Sequence, residues 1–160
     1  MATLYQIIKQ RCSLLRKRLF SNNTTGASKS ARHTQSLLIN ASNSSPKICF
    51  DIAINLFQIT GNAFDDDDHT FFAPIVDWMA HYLSENTCPI EFHIQLNQIN
   101  LNAFNGIKQL ISILATYRQK VKIPIHIEWI TDQEEIAEYG EQLQASFSHL
   151  PIVLQVEVKV

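Results

Sequence analysis

The chain has 160 residues, 46% of them hydrophobic, and a formal net charge of -2, which suits one soluble globular domain with a proper core plus an appendage. The charge is divided: residues 1–50 hold eight Lys/Arg and no Asp/Glu, whereas residues 51–160 hold five Lys/Arg and fifteen Asp/Glu, or +8 against -10. Such a division marks a basic tail on an acidic domain; the tail fits lipid, nucleic acid or the domain's own acidic surface, while the domain repels nucleic acid, so no nucleic-acid partner is expected.

Residues 2–20 place Leu4, Ile8, Cys12, Leu15 and Leu19 at steps of three or four, with basic residues elsewhere around the turn. The spacing predicts a basic amphipathic helix over 1–20, whose Lys9, Arg11, Arg16, Lys17 and Arg18 are candidates for contact with an anionic lipid surface. The same charges interrupt every short apolar run, so a secretory signal is not expected, although residues 1–45 have the acid-free, Arg- and Ser-containing composition of a transit peptide. No stretch approaches the roughly 18 apolar residues a membrane span needs. Residues 21–45 are rich in Ser, Asn and Thr, with only Leu37-Leu38-Ile39 to bury, and read as a linker. The folded domain is expected over 46–160.

Ile48, Phe50, Ile52 and Ile54 alternate as a strand, and Leu56 to Thr60 return as a hairpin. Phe72, Ile75, Val76, Met79 and Leu83 have helical spacing, with Pro74 placed near the helix start. Ile90, Phe92, Ile94 and Leu96 form a third strand, and Ile107, Leu110, Ile111 and Leu114 a second helix. Val121, Ile123, Ile125, Ile127 and Trp129 alternate again. Thr131-Asp132-Gln133-Glu134 reads as a capping box opening a third helix through Ile136, Tyr139, Leu143 and Phe147, and Ile152, Leu154, Val156 and Val158 close the chain. The order ββαβαβαβ predicts an α/β two-layer sandwich: a five-stranded mixed sheet with three helices on one face. The other face is expected to be polar and open, because Glu91, His93 and Gln95, then Lys122, His126 and Glu128, then Gln155, Glu157 and Lys159 alternate with the apolar sets.

Catalytic chemistry is hard to build from these residues. Asp65-Asp66-Asp67-Asp68-His69 offers oxygen ligands, but consecutive Asp side chains do not converge on one ion, and a helix-capping acidic turn is the simpler reading. His93 and His126 could meet across neighbouring strands as two metal ligands, yet no third lies close in sequence. Cys12, Cys49 and Cys88 are odd in number and widely spaced, which argues against a disulfide framework or a zinc site and for a reducing compartment, the cytoplasm, with membrane association as the variant. Trp78 and Trp129 sit in periodic elements and read as core or interface. With four glycines, at 26, 61, 106 and 140, no Gly-rich phosphate loop exists. Neither a cofactor nor a metal is expected, and the chain reads as non-enzymatic.

The most informative stretch is the corner Leu101-Asn102-Ala103-Phe104-Asn105-Gly106-Ile107-Lys108, where a strand gives way to a helix whose first amides lack intrahelical partners. Together with Pro46-Lys47-Ile48-Cys49-Phe50-Asp51, Leu56 to Phe64, Phe71 to Trp78 and Tyr82-Leu83, it resembles the SiaC-type family of bacterial regulatory phosphoproteins over residues 46–147. The resemblance implies a STAS-like module that works between a GHKL-type Ser/Thr kinase and a PP2C-type phosphatase and stimulates a diguanylate cyclase in control of biofilm behaviour. It implies partner binding through Leu101, Asn102, Ala103, Phe104, Asn105, Gly106 and Lys108. The family's corner reads Asn-Thr-Ser-Ser followed closely by Lys, with the Thr phosphorylated. Here, counting back from Lys108 sets Phe104 in the Thr position, and matching on Asn102 sets Ala103 there. Phe104 is then either an apolar anchor for the partner or a plug in the core beneath, and Asn105-Gly106 is either part of that surface or a simple turn. A peripheral membrane adaptor acting through the basic helix, a small-molecule or metal-binding open sheet face, and a homodimer covering that face complete the readings.

Because residues 101–108 contain no Ser, Thr or Tyr, incubation with the cognate kinase and ATP should leave this interval without phosphate. Site mapping by mass spectrometry checks this; stoichiometric phosphate on Ser112 would show that the switch has slid along the helix.

Overall fold

The computed structural model describes residues 34–65 and 68–157. The basic helix read over 1–20, the first part of the linker, and Asp66 and Asp67 of the acidic run lie outside them. The described chain folds as β1 (Leu37–Ile39), β2 (Lys47–Asp51), β3 (Leu56–Ala63), α1 (Asp68–Glu85), β4 (Ile90–Ile99), α2 (Leu101–Val121), β5 (Ile125–Thr131), α3 (Glu134–Ser146) and β6 (Ile152–Val156). One mixed sheet contains all six strands in sequence order, antiparallel from β1 to β3 and parallel from β3 to β6.

Six strands replace the expected five, because Leu37-Leu38-Ile39 pairs with Ile48 to Phe50 at the antiparallel edge. Leu37 and Ile39 pack against the core, while Leu38 between them is 64% exposed on the opposite face. Three other boundaries shift for local reasons. β2 ends at Asp51, whose Oδ1 accepts the Ala53 amide at 2.8 Å, and Asn55 takes a left-handed φ of 54°, so Ile52 and Ile54 lie in a turn. Lys122 is the left-handed C-cap of α2 (φ 53°), its amide donating to Arg118 O at 2.9 Å; Val121 therefore ends the helix and β5 starts only at Ile125. The capping box does not close: Thr131 Oγ1 accepts the amide of Gln133 at 3.1 Å, and Gln133, without a side-chain cap bond, occupies the N-cap.

All three helices cover one face. Ile48 and Phe50, Phe57 and Ile59, Ile90 to Leu96 at alternate positions, Ile125, Ile127 and Trp129, and Ile152 are buried beneath them. Strand side chains of the other set, including Glu91, His93, Gln95, His126 and Glu128, are half-buried or exposed on the open face. Aromatic rings knit the helix layer to the sheet: Trp78 lies 5.4 Å from Phe50 and stacks on Tyr82 at 5.3 Å, and its Nε1 donates to Gln35 O. Trp129 is fully buried with Nε1 donating to Ile136 O at 3.1 Å. Both tryptophans are structural in this fold.

At the end of the sheet where β4 begins, a buried polar knot joins four elements. Asn55 Nδ2 donates to Asn86 Oδ1 (3.2 Å) and Pro89 O (2.9 Å), Asn86 Nδ2 to Cys88 O (2.7 Å), and the hydroxyls of Tyr82 and Tyr117 close on Asn55 and Asn86. Each buried amide thus finds partners, without which its desolvation would cost about 1–3 kcal/mol.

Gly106 lies inside α2, not in a turn, and its lack of a side chain lets Phe72 of α1 approach. A Cβ built there would stand 2.5 Å from Phe72 Cδ2. Gly106→Ala should therefore lower stability by about 1–3 kcal/mol through overpacking, more than the ~1 kcal/mol that a better helix former returns. Phe104→Ala, which empties a site only 1% exposed, should cost about 3–5 kcal/mol. Thermal or urea unfolding of both variants checks the pair.

Candidate functional site

β4 ends at Ile99 and α2 begins at Leu101, so the corner is the first two turns of a helix. Asn100 is its N-cap in extended conformation: Oδ1 accepts the Ala103 amide at 2.8 Å, its carbonyl accepts the Phe104 amide at 3.0 Å, and Nδ2 donates to Asp65 O at 3.3 Å. The Asn100 amide in turn donates to Ala63 O at 2.9 Å, tying the helix start to the end of β3. Helix geometry leaves the amides of Leu101 and Asn102 ahead of the first intrahelical acceptor.

Helical periodicity sorts the corner residues. Ala103, Phe104, Gly106 and Ile107 face the core, whereas Leu101 (63% exposed) and Asn105 face solvent and Asn102 and Lys108 are half-buried. Phe104 is thus the plug and not an exposed anchor: its ring packs 4.7 Å from Tyr139 and 6.5 Å, edge-on, from Trp129. Leu101 lies only about 60° around the helix from Phe104 and is exposed because it is the first residue of α2, beyond the reach of the packing that covers Phe104. Lys108 lies along the helix with Nζ 5.2 Å from the Phe104 ring centroid, covering the aromatic from the solvent side.

Beside the corner a groove of about 840 Å³ opens between the end of β4 and α3. Phe64, Ile99, Leu101, Ile136 and Tyr139 give it apolar surface, and Asn97, Gln98, Gln133, Glu135, Glu138 and Gln142 a polar rim. Phe64, 41% exposed, is held by its backbone N–H donating to Ser44 O (2.9 Å), and Gln133 by Nε2 donating to Asn97 O (2.8 Å). α3 carries Glu134, Glu135, Glu138 and Glu141 and no Lys or Arg, so this wall is acidic. The α3 residues were not among the sequence candidates. The available signal was topological: crevices in parallel α/β sheets form at the carboxyl ends of the strands.

The other candidates disperse. His93 and His126 are diagonal neighbours on the open face, each directly opposite a glutamate: Glu91 faces His126 and Glu128 faces His93. His93 Nε2 lies 2.9 Å from Glu91 Oε1 and 3.6 Å from Glu128 Oε2. Among the described residues no group of three or more His, Cys, Asp or Glu side chains is placed to hold a metal ion, and no helix is long and apolar enough to cross a membrane. Cys88 is buried and Cys49 half-buried on the sheet. Ser112 is exposed on α2 and accepts, through its carbonyl, the hydroxyl of Thr116 at 3.1 Å, the back-bonding usual for a mid-helix threonine.

Solved structures share this arrangement. Apo-SiaC from Pseudomonas aeruginosa matches with a TM-score of 0.70 and 21% identity over 76% of this chain and 99% of that one. A chain in the crystal structure of the diguanylate cyclase SiaD in complex with its activator SiaC, from the same organism, matches with a TM-score of 0.69 and 21% identity, again over 76% and 99%. At this identity the likeness shows the fold. An uncharacterised protein of Pseudomonas aeruginosa (strain UCBPP-PA14) is 22% identical over 121 residues, 74% of this chain and 94% of the relative. The family model described as SiaC family regulatory phosphoprotein matches residues 39–157, well over half of the sequence, and the chain therefore belongs to that family.

Proposed function

We propose that this chain is a non-catalytic cytoplasmic regulator that binds a diguanylate cyclase through the corner groove and does so without a phosphate switch at the corner. The observation that carries the reading is the pairing of exposed Leu101 with exposed Phe64 at the mouth of a groove that also holds half-buried Tyr139. Exposed apolar side chains gathered around a concavity are what an interface core uses, and the polar rim excludes water around it. A related SiaC is described as the activator of a diguanylate cyclase with which it forms a complex, which makes a cyclase the partner of choice here. A GHKL-type kinase and a PP2C-type phosphatase are further partners that the family resemblance supplies.

The missing hydroxyl alters the regulation. A phosphate adds about two negative charges and imposes repulsion and desolvation on a partner fitted to the neutral surface. Ala103 and Phe104, the two alternative matches to the phosphoacceptor position, are buried and carry no hydroxyl, which supports binding at this corner that is constitutive with respect to the kinase.

The test is capture of a diguanylate cyclase from the same organism, together with its synthesis of cyclic di-GMP. Leu101→Asp and Asn105→Asp, both at solvent-facing positions, should each weaken capture about tenfold or more, ~1.4 kcal/mol, while unfolding stays within a few degrees of the parent. Unchanged capture and activation by both variants would move the partner surface away from the corner.

A further inference from the structure

We infer that the basic segment 2–20 of this chain docks into the corner groove and competes there with the partner. The consequence for the partner rests on the proposed use of that groove; the docking does not.

The groove and the segment are complementary in both shape class and charge. The segment's apolar stripe, Leu4, Ile8, Cys12, Leu15 and Leu19, matches a groove with Phe64, Leu101 and Tyr139 along it. Residues 1–33 carry seven Lys/Arg and no acid, whereas α3, which forms one wall, carries four Glu and no basic residue, and Glu135 and Glu138 of these line the groove. Close opposite charges of this kind steer association and fix orientation. Another concave surface, between α1 and α2, is lined by Ala80, Leu83, Ile113 and Tyr117 with Lys120 as its one charged lining residue, so its charge does not favour a basic segment.

The chain also reaches. Thr34 is anchored at the C-terminal end of α1 by its hydroxyl on Glu85 Oε2 at 3.0 Å, and the groove lies towards the other end of that helix, beside Phe64. Eighteen residues of α1 span about 27 Å. Residues 21–33 between anchor and segment extend to about 43 Å, enough to follow α1 back to the corner. The family match begins only at residue 39, so this device would be an addition to the shared module. A tether of this length gives the segment an effective concentration near the millimolar range, which makes even a weak contact significant.

Cys12, on the apolar stripe, supplies the probe. In the full chain with Gln142→Cys at the groove rim, a short bis-maleimide should link Cys12 to position 142 at least fivefold more than to control cysteines placed at Gln95 on the open face or Thr116 on the outer side of α2, as mapped by peptide mass spectrometry. The link should be independent of protein concentration, fall in Glu135→Lys/Glu138→Lys, and recover when Arg16→Glu/Lys17→Glu is added. Equal linking at the three positions, failure of the charge exchange to restore it, or linking that grows with concentration, as for a second copy, would overturn the docking. So would capture of the segment by phosphatidylserine vesicles from a state in which Cys12 already reacts as fast as in the free peptide. With docking established, Leu15→Glu should raise cyclase capture severalfold; unchanged capture would remove the cyclase from the groove and leave the docked segment in place.

Discussion

Each parallel connection in this protein steps one strand outward in the same direction, from β3 to β4 to β5 to β6, and crossovers of one hand that step one way must all pass over the same face. That constraint generates the rest. It stacks α1, α2 and α3 in a single layer, gives the apolar half of every strand a cover, and leaves the alternate half to water. It also aligns the carboxyl ends of β3, β4 and β5 along one edge, where the chain must turn into three successive helices. A crevice between the end of β4 and α3 follows from that geometry before any side chain is chosen.

What the side chains decide is how tightly the two ends are finished. At one end, Asn55, Asn86, Tyr82 and Tyr117 hold the hairpin turn, the α1–β4 connection and α2 in one hydrogen-bonded knot. At the other, Asn100 caps α2 while bonding back to the ends of β3 and its following loop, and Gly106 admits Phe72 so that α1 and α2 close together. Phe104 then fills the space between α2, β5 and α3. The corner is consequently a rigid shelf with a soft rim: buried aromatic below, Leu101 and Phe64 exposed above.

The proposed absence of a phosphoacceptor at the corner leaves the shape of this shelf intact. An aromatic or a small apolar residue on the inward side of the first helical turn adds core contacts, and the outward side remains available to a partner. On the proposed reading, regulation by charge comes from outside the corner. The basic, acid-free sequence of residues 1–33 has the sign opposite to that of α3, which carries four Glu and no Lys or Arg.

Sequence periodicity determined much of this protein. Alternation of period two and 3.6 located the strands, the helices and the polar sheet face, because burial on one side imposes a local rhythm that needs no knowledge of neighbours. Short elements and caps escaped it. Leu37-Leu38-Ile39 is too brief to show a period and becomes a strand only because β2 offers a free edge, and Thr131 abandons its capping box because its hydroxyl takes the nearer Gln133 amide. The corner was legible as a strand-to-helix junction, but the facing of Phe104 was not: whether an aromatic at the second turn points out or in depends on the rotation of α2, which Gly106 against Phe72 and Tyr139 against Phe104 fix through contacts distant in sequence. The same holds for the groove, whose acidic wall belongs to a helix more than thirty residues away and exists as a wall only once β5 has paired beside β4.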